Sequence, residues 1–363
     1  MSTLRTASAA TSSAPPANFT SLSLRSESPP RSRNKAPLRY GGSLDKYEVG
    51  RFAVQGSSIS KLLDAPNTDD LIRDLAITVS RRGVCFFRDQ DLTPQQMTTL
   101  ASKLGHLSGK PTTSGLHVHP LTEESSELGD QIAVISSEKQ AKGGGLRHIH
   151  DDRSLFPTNA WHSDITFETI PSDYAMLKIH TLPETGGDTL WNSMYEAYDR
   201  LSPAMARWLE TLTATHDANF FHDEARRLGI QIRSGERGSP FNVGENLQAV
   251  HPVIRTNPVT GWKGLFINKA FTKRINDVTK DESDYLLNYL HALCHNGFDM
   301  QTRFRWQKNS VAIWDNRSTQ HSATYDYTEA RAGDRACSVG EAPFFDTASS
   351  SRRQALSAEE KKW

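Results

Sequence analysis

Trp161-His162-Ser163-Asp164-Ile165-Thr166-Phe167 is the stretch on which the reading of this chain turns. It sets an imidazole and a carboxylate two residues apart. In an extended segment, residues i and i+2 point to the same face. His162 and Asp164 are therefore expected to look into one cavity from one strand, with Trp161, Ile165 and Phe167 anchoring it. A neutral imidazole plus a carboxylate is two-thirds of the facial triad that holds non-haem Fe(II). The expected third ligand is His321, which ends Val311-Ala-Ile-Trp-Asp-Asn-Arg-Ser-Thr-Gln-His321 and starts another strand. Read alone, H-x-D also describes a surface turn with a solvated Asp and a packed His, so the rest of the chain decides.

With 363 residues the chain can hold one large domain or two ordinary ones. Its 42 basic and 42 acidic residues cancel, which removes any global charge argument for nucleic acid or an anionic membrane surface. No apolar run approaches the ~18–20 residues of a membrane span. Cys85, Cys294 and Cys337 are scattered, and their odd number suits a reducing compartment. Residues 1–36 are rich in Ser, Ala, Pro and Arg, with no acidic residue before Glu27, and are expected to be disordered. A cytoplasmic location is expected, with organellar targeting through residues 1–36 as the alternative. The folded domain is expected over 37–345, followed by a polar tail over 346–363.

Within that domain, helices are expected over Asp70–Ser80, from the Thr93 cap to a stop at Gly105, from a start at Asn192 or Ser193, after Ser202, and over Thr279–Cys294. Strands are expected at Gly83–Phe87, Gln131–Ile135, Ser172–His180, Val250–Ile254, Gly264–Ile267, Ser310–Trp314, His321–Tyr327 and Arg335–Gly340, and a turn over Pro183–Gly187 leads into Asp188-Thr189-Leu190-Trp191. Residues 222–247 are charged and Gly-containing and read as a mobile insertion or lid. Many short strands framed by capped helices suggest a sheet-on-sheet barrel with helices outside, in which alternation aims polar groups inward.

Other histidines compete with the triad. His117 and His119 lie in an extended segment, His150 and Asp152 repeat the H-x-D spacing in a loop-like setting, and His291 and His295 are i, i+4 on a helix, a spacing that can bind zinc. Arg331 and Arg335, four apart, would point to one face if both lie on a strand. An inward Arg is costly without an anion, and its fork suits a carboxylate or sulfonate. Two such arginines suggest two anions. The bland alternative is a pair of turn-exposed arginines, with Thr328–Asp334 as the turn.

His162-Ser-Asp164, Leu182-Pro-Glu-Thr-Gly-Gly-Asp-Thr-Leu-Trp191, Val250-His-Pro-Val-Ile-Arg-Thr-Asn-Pro-Val-Thr-Gly261, Gly264-Leu-Phe-Ile-Asn268, Trp314-Asp-Asn-Arg-Ser-Thr-Gln-His321 and Arg335–Phe344 together resemble the TauD/TfdA family. These are Fe(II)/2-oxoglutarate-dependent dioxygenases, and the resemblance is nearest to those acting on taurine and alkylsulfonates. It implies a mainly β fold with peripheral helices, a double-stranded β-helix or cupin-like jelly roll. It also implies Fe(2+), 2-oxoglutarate and O2 as metal and co-substrates. The implied reaction is oxidative decarboxylation of 2-oxoglutarate coupled to hydroxylation of a small anion. On a sulfonate, hydroxylation at the carbon bearing sulfur gives an adduct that breaks down to sulfite and an aldehyde. By position, the resemblance makes His162, Asp164 and His321 the iron ligands. It gives Thr189 and Arg331 to 2-oxoglutarate, and Arg335, His119, Phe271 and Asn159 to the substrate. Thr122 stands where taurine-specific members carry tyrosine, which points away from taurine itself. Homo-oligomers are common in the family.

Three rival readings follow from the same residues. One is the same chemistry on a carboxylate, such as an aryloxyalkanoate or a biosynthetic intermediate. Another is a non-enzymatic 2-oxoglutarate or metal-binding protein. The last is a zinc hydrolase built on His291 and His295.

Overall fold

The computed structural model describes residues 58–121, 128–137 and 160–360. Its helices are α1 (Ile59–Leu63), α2 (Thr68–Arg82), α3 (Pro94–Ser108), α4 (Met194–Asp199), α5 (Pro203–Leu209), α6 (Phe220–Leu228), α7 (Lys280–His295) and α8 (Arg352–Glu360). Its strands are β1 (Val84–Phe87), β2 (Ile132–Ser136), β3 (Ser172–Thr181), β4 (Thr189–Ser193), β5 (Thr213–Asp217), β6 (Gln248–Pro252), β7 (Ile254–Thr256), β8 (Lys263–Leu265), β9 (Thr272–Ile275), β10 (Gln301–Phe304), β11 (Ser310–Asp315), β12 (Thr319–Ala323) and β13 (Ala332–Val339).

The major sheet runs β1-β11-β3-β13-β2 and is antiparallel throughout. β3 lies at its centre and is buried on both faces, so its residues divide between two cores. Tyr174 and Met176 point into one core with Leu75 and Val79 of α2 and Met97, Leu100 and Leu104 of α3. Ala175, Leu177 and Ile179 point the other way, into a core shared with Trp191 of β4, Phe304 of β10 and Trp314 of β11. That second core joins the major sheet to a smaller one, β10-β4-β12. The layers are thus helices, sheet, sheet. Alternation along β3 creates them, because each successive residue feeds the opposite face. A third core seats α4, α5 and α7 on the strands around β5 and β8.

Local signals explain the helix starts. Thr93 and Gln96 form a reciprocal capping box with Pro94 at the first helical position, and Thr279 and Glu282 form another. The expected stop at Gly105 is wrong, because α3 runs on to Ser108 and ends on Gly109 in the left-handed conformation. Gly105 is a packing residue instead. A Cβ there would lie 2.7 Å from both Asp173 Oδ2 and Ser338 Oγ. The turn expected over Thr328–Asp334 also fails at its end, since Gly333 lies within β13, where a Cβ would meet Lys178 O at 2.3 Å. The strand expected over His321–Tyr327 is shifted to Thr319–Ala323. The tail is polar as expected, yet α8 is docked through Arg81–Glu359 and Arg353–Glu196 ion pairs. Among the described residues no helix is long and apolar enough to cross a membrane.

The charged stretch 222–247 does not behave as a loose lid. It completes α6 and then folds onto the segment that carries His117 and His119, through Arg233 N–H to Pro120 O and Gly115 N–H to Gly238 O. Its anchor is Arg237, only 1% exposed, whose fork donates to both oxygens of the equally buried Glu168 at 2.6 and 2.9 Å. Arg237 also donates to the Arg233 and Gly244 carbonyls, closing the stretch on itself. Composition alone suggested a mobile insertion or lid, but the decisive Arg is paired with a carboxylate 69 residues away.

Burial alone would raise the Glu168 pKa, but the nearby His117 imidazole and the bonds from Arg237 outweigh it and hold the carboxyl below its usual range. A depressed folded-state pKa means that the stabilisation is complete above the unfolded value, about 4.3, and is lost as pH falls through the folded value. Arg237→Met should cost about 3–5 kcal/mol at pH 7, because a buried charge loses its partner. In the variant, burial dominates and raises the Glu168 pKa, so the deficit should shrink as pH is lowered from 7 to 5. Urea unfolding at both pH values measures this, and a deficit that grows on acidification would contradict the assignment.

Candidate active site

His162 and His321 meet through a reciprocal pair of backbone hydrogen bonds. His162 N–H donates to His321 O at 3.0 Å, and His321 N–H donates to His162 O at 2.8 Å. This is an isolated bridge, so the expectation that His162 and Asp164 share one strand needs correction. His162 is set by the bridge, whereas Asp164 arrives on a turn whose next residue, Ile165, has φ +52°. A β-branched residue in the left-handed region is a true outlier, costing about 1–3 kcal/mol. The turn is held against relaxation by hydrogen bonds to buried partners. Asp164 N–H donates to Asn316 Oδ1, Asn268 Nδ2 donates to Thr166 Oγ1, and His251 Nε2 donates to the Thr166 and Glu168 carbonyls.

Three potential donor atoms converge there. Asp164 Oδ1 lies 3.7 Å from His162 Nε2 and 4.0 Å from His321 Nε2. One ligand atom from each residue falls within 4.8 Å of the others. His162 Nδ1 lies 2.8 Å from Ala160 O, which places the proton on Nδ1 and leaves the Nε2 lone pair free. His321 is packed beside Trp314 and Trp191. Burial, reinforced by His162, pushes its pKa down to about 3, so it is neutral at ordinary pH. Burial would raise the Asp164 pKa, but Arg335, His321 and His162 hold it well below the carboxylate range. Two imidazoles and one ionised carboxylate are the donor set expected of a facial triad.

The two arginines do not share a strand face as expected. Arg331 precedes β13, and the ladder slips between Ala332 and Gly333. Arg335, on β13, donates from Nη1 to Asp164 Oδ1 at 2.7 Å. Arg331 donates from Nε to Gly187 O at 3.0 Å, and its buried Nη2 has no hydrogen-bond partner among the described residues. Gly187 lies two residues before Thr189, so Arg331 is set beside the start of β4. His321 pairs with Trp191 and Ala323 with Thr189, which puts Thr189 one pleat repeat, about 7 Å, along the face that meets His321. Thr189 is buried and accepts from Trp306 Nε1.

Phe271 presents its edge to His162 at a 6.0 Å centroid distance. His119 lies against Phe221, and burial together with His117 holds its pKa well below normal. Asn159, Thr122, His150 and Asp152 lie outside the described residues. His117 faces Glu168 at 3.5 Å. The imidazoles of His291 and His295 are stacked on each other, and His295 is stacked on Trp161. Among the described residues only His162, Asp164 and His321 form a group of three with metal-ligand spacing.

Sequence reasoning missed the residues that hold the Asp164 turn. Asn316 and His251 lie within quoted motifs, yet nothing in one sequence shows that they reach residues 164–168. The Glu168–Arg237 pair left no local signal at all.

Residues 45–337 match the family described as taurine catabolism dioxygenase TauD, TfdA family. The alpha-ketoglutarate-dependent dioxygenase btcD of Neocamarosporium betae is 43% identical over 342 residues, covering 88% of this chain and 98% of the relative. An alpha-ketoglutarate-dependent sulfonate dioxygenase of Saccharomyces cerevisiae is 31% identical, covering 76% of this chain and 61% of that protein. The crystal structure of a taurine dioxygenase from Burkholderia xenovorans superposes with a TM-score of 0.58 at 27% identity, covering 76% of this chain and 81% of that one. The chain belongs to the TauD/TfdA family and is an oxidoreductase of the alpha-ketoglutarate-dependent dioxygenase class.

Proposed function

We propose that His162, Asp164 and His321 hold Fe(II), that Thr189 and Arg331 hold 2-oxoglutarate, and that Arg335 and His119 receive a small anionic substrate beside Phe271. The observation that carries this reading is the convergence of two imidazoles and a carboxylate, one ligand atom from each within 4.8 Å of the others. The buried, partnerless Nη2 of Arg331 supports it, because such a donor calls for an acceptor, and the distal carboxylate of 2-oxoglutarate supplies one. On this reading the β1-β11-β3-β13-β2 and β10-β4-β12 sheets are the halves of a double-stranded β-helix within a domain spanning 37–345.

Bound iron would supply O2 activation coupled to conversion of 2-oxoglutarate into succinate and CO2, with one oxygen atom passing to the substrate as hydroxyl. The chain's own residues do the rest. Arg331 and Thr189 orient the co-substrate. Arg335 fixes the substrate anion. Trp191, Trp314 and Phe271 keep water from the histidines. An alkylsulfonate is the preferred substrate class, supported by the guanidinium of Arg335 and by the sulfonate dioxygenase among the relatives. A carboxylate substrate is the second reading, since the more similar btcD carries no sulfonate in its name.

Anaerobic addition of Fe(II) and 2-oxoglutarate should produce a weak visible charge-transfer band, and His162→Ala or Asp164→Ala should abolish both the band and succinate formation. Sustained turnover in either variant would remove them as ligands. Arg331→Leu should raise the KM for 2-oxoglutarate roughly 10- to 150-fold, the loss of one charge-assisted hydrogen bond, with metal affinity retained. A panel of alkylsulfonates and carboxylates, scored for succinate and sulfite, tests the substrate class. Sulfite release is expected, whereas succinate coupled only to carboxylates would select the second reading.

A further inference from the structure

We infer that Asn316 is a positioning residue that aims the Asp164 carboxylate at the two histidines. The inference rests on the metal-ligand reading proposed above and concerns how this chain builds that site. Asn316 is buried, and its side chain bonds two distant parts of the chain as well as its near neighbour Trp314. Its Oδ1 accepts from Asp164 N–H at 3.1 Å and from Trp314 Nε1 at 2.9 Å. Its Nδ2 donates to Ser172 Oγ at 2.9 Å. These bonds fix which amide atom faces which partner, so the oxygen is held toward Asp164. The backbone is held as well, by Asn316 N–H to Asp173 O at 2.8 Å.

Asn316 lies in the tight connection between β11 and β12, and β12 carries His321. That connection is itself pinned. Asp315 Oδ1 accepts from the backbone N–H and Nε of Arg317, and Asp315 Oδ2 accepts from Ser80, Asn257 and Arg317 Nη2. One short loop therefore sets two of the three ligands, His321 through strand register and Asp164 through the Asn316 amide. The bond to Asp164 N–H is needed because the adjacent Ile165 is held at φ +52°. Without that anchor the turn can relax toward an ordinary conformation and swing the carboxylate away from the His162 and His321 Nε2 atoms.

The test is Co(II) binding to the purified full-length protein, read by competition for affinity and by the visible ligand-field spectrum for geometry, with thermal unfolding as the folding control. Asn316→Leu removes the acceptor and should weaken Co(II) binding about 10- to 100-fold, as loss of an outer-shell partner does, with a changed spectrum. Asn316→Asp keeps an acceptor oxygen and should stay close to wild type in both readouts. Wild-type affinity and spectrum in Asn316→Leu would overturn the inference, as would equal losses in the two variants. Should Asn316→Leu fail to fold, Ser172→Ala, which frees the Asn316 amide to rotate, should show a smaller loss in the same direction, and no change there would overturn the inference. Absence of Co(II) binding by the wild type would instead sink the metal-site reading and this inference with it.

Discussion

The reciprocal backbone hydrogen bonds between His162 and His321 are the constraint on which this molecule depends. They join segments 159 residues apart and leave two imidazoles with ring centroids 4.2 Å apart. Buried amide and carbonyl groups must be paired, so the bridge is favoured for the backbone's own reasons. The side chains are brought together as a consequence. The second sheet, β10-β4-β12, gives His321 its register, and the aromatic layer of Trp191 and Trp314 fills the space behind it. Asp164 needs separate arrangements because its turn is strained at Ile165, and the chain supplies them from three directions through Asn316, His251 and Asn268.

Much of this was legible in the sequence. H-x-D alone was ambiguous, and the family motifs around it and around His321 singled out three residues that the fold does bring together. Helix starts at Pro94 and Lys280 followed from local side-chain chemistry, Thr with Gln or Glu three residues on. Errors fell where a residue's role is set by distant partners. Gly105 looked like a stop signal, yet it makes room for Asp173 and Ser338 within a continuing helix. Gly333 looked like a turn and sits in a central ladder. The 222–247 stretch looked like a mobile insertion or lid because its charges were visible and their partners were not. Pairings such as Glu168 with Arg237 have no local signature, since the fold alone makes them neighbours.

The electrostatic design separates two kinds of buried charge. Glu168 and Arg237 satisfy each other fully and serve the architecture. Asp315 and Arg317 do the same in the β11–β12 connection. Arg331 is different, with one nitrogen on a carbonyl and another left without a partner among the described residues. Such incompleteness is costly in a structural pair and useful in a binding site, where the ligand completes it.

The Arg335–Asp164 contact has a consequence for charge balance. Within the proposed site, Asp164 offsets one of two guanidinium charges, those of buried Arg331 and part-buried Arg335, leaving an excess of one among these three groups. A divalent metal on the triad makes that excess larger than a dicarboxylate co-substrate can cancel. A singly charged anion beside Arg335 would bring the cavity to neutrality. On this accounting, a neutral or cationic molecule of the same size would leave an uncompensated charge beside Arg335 in the proposed site.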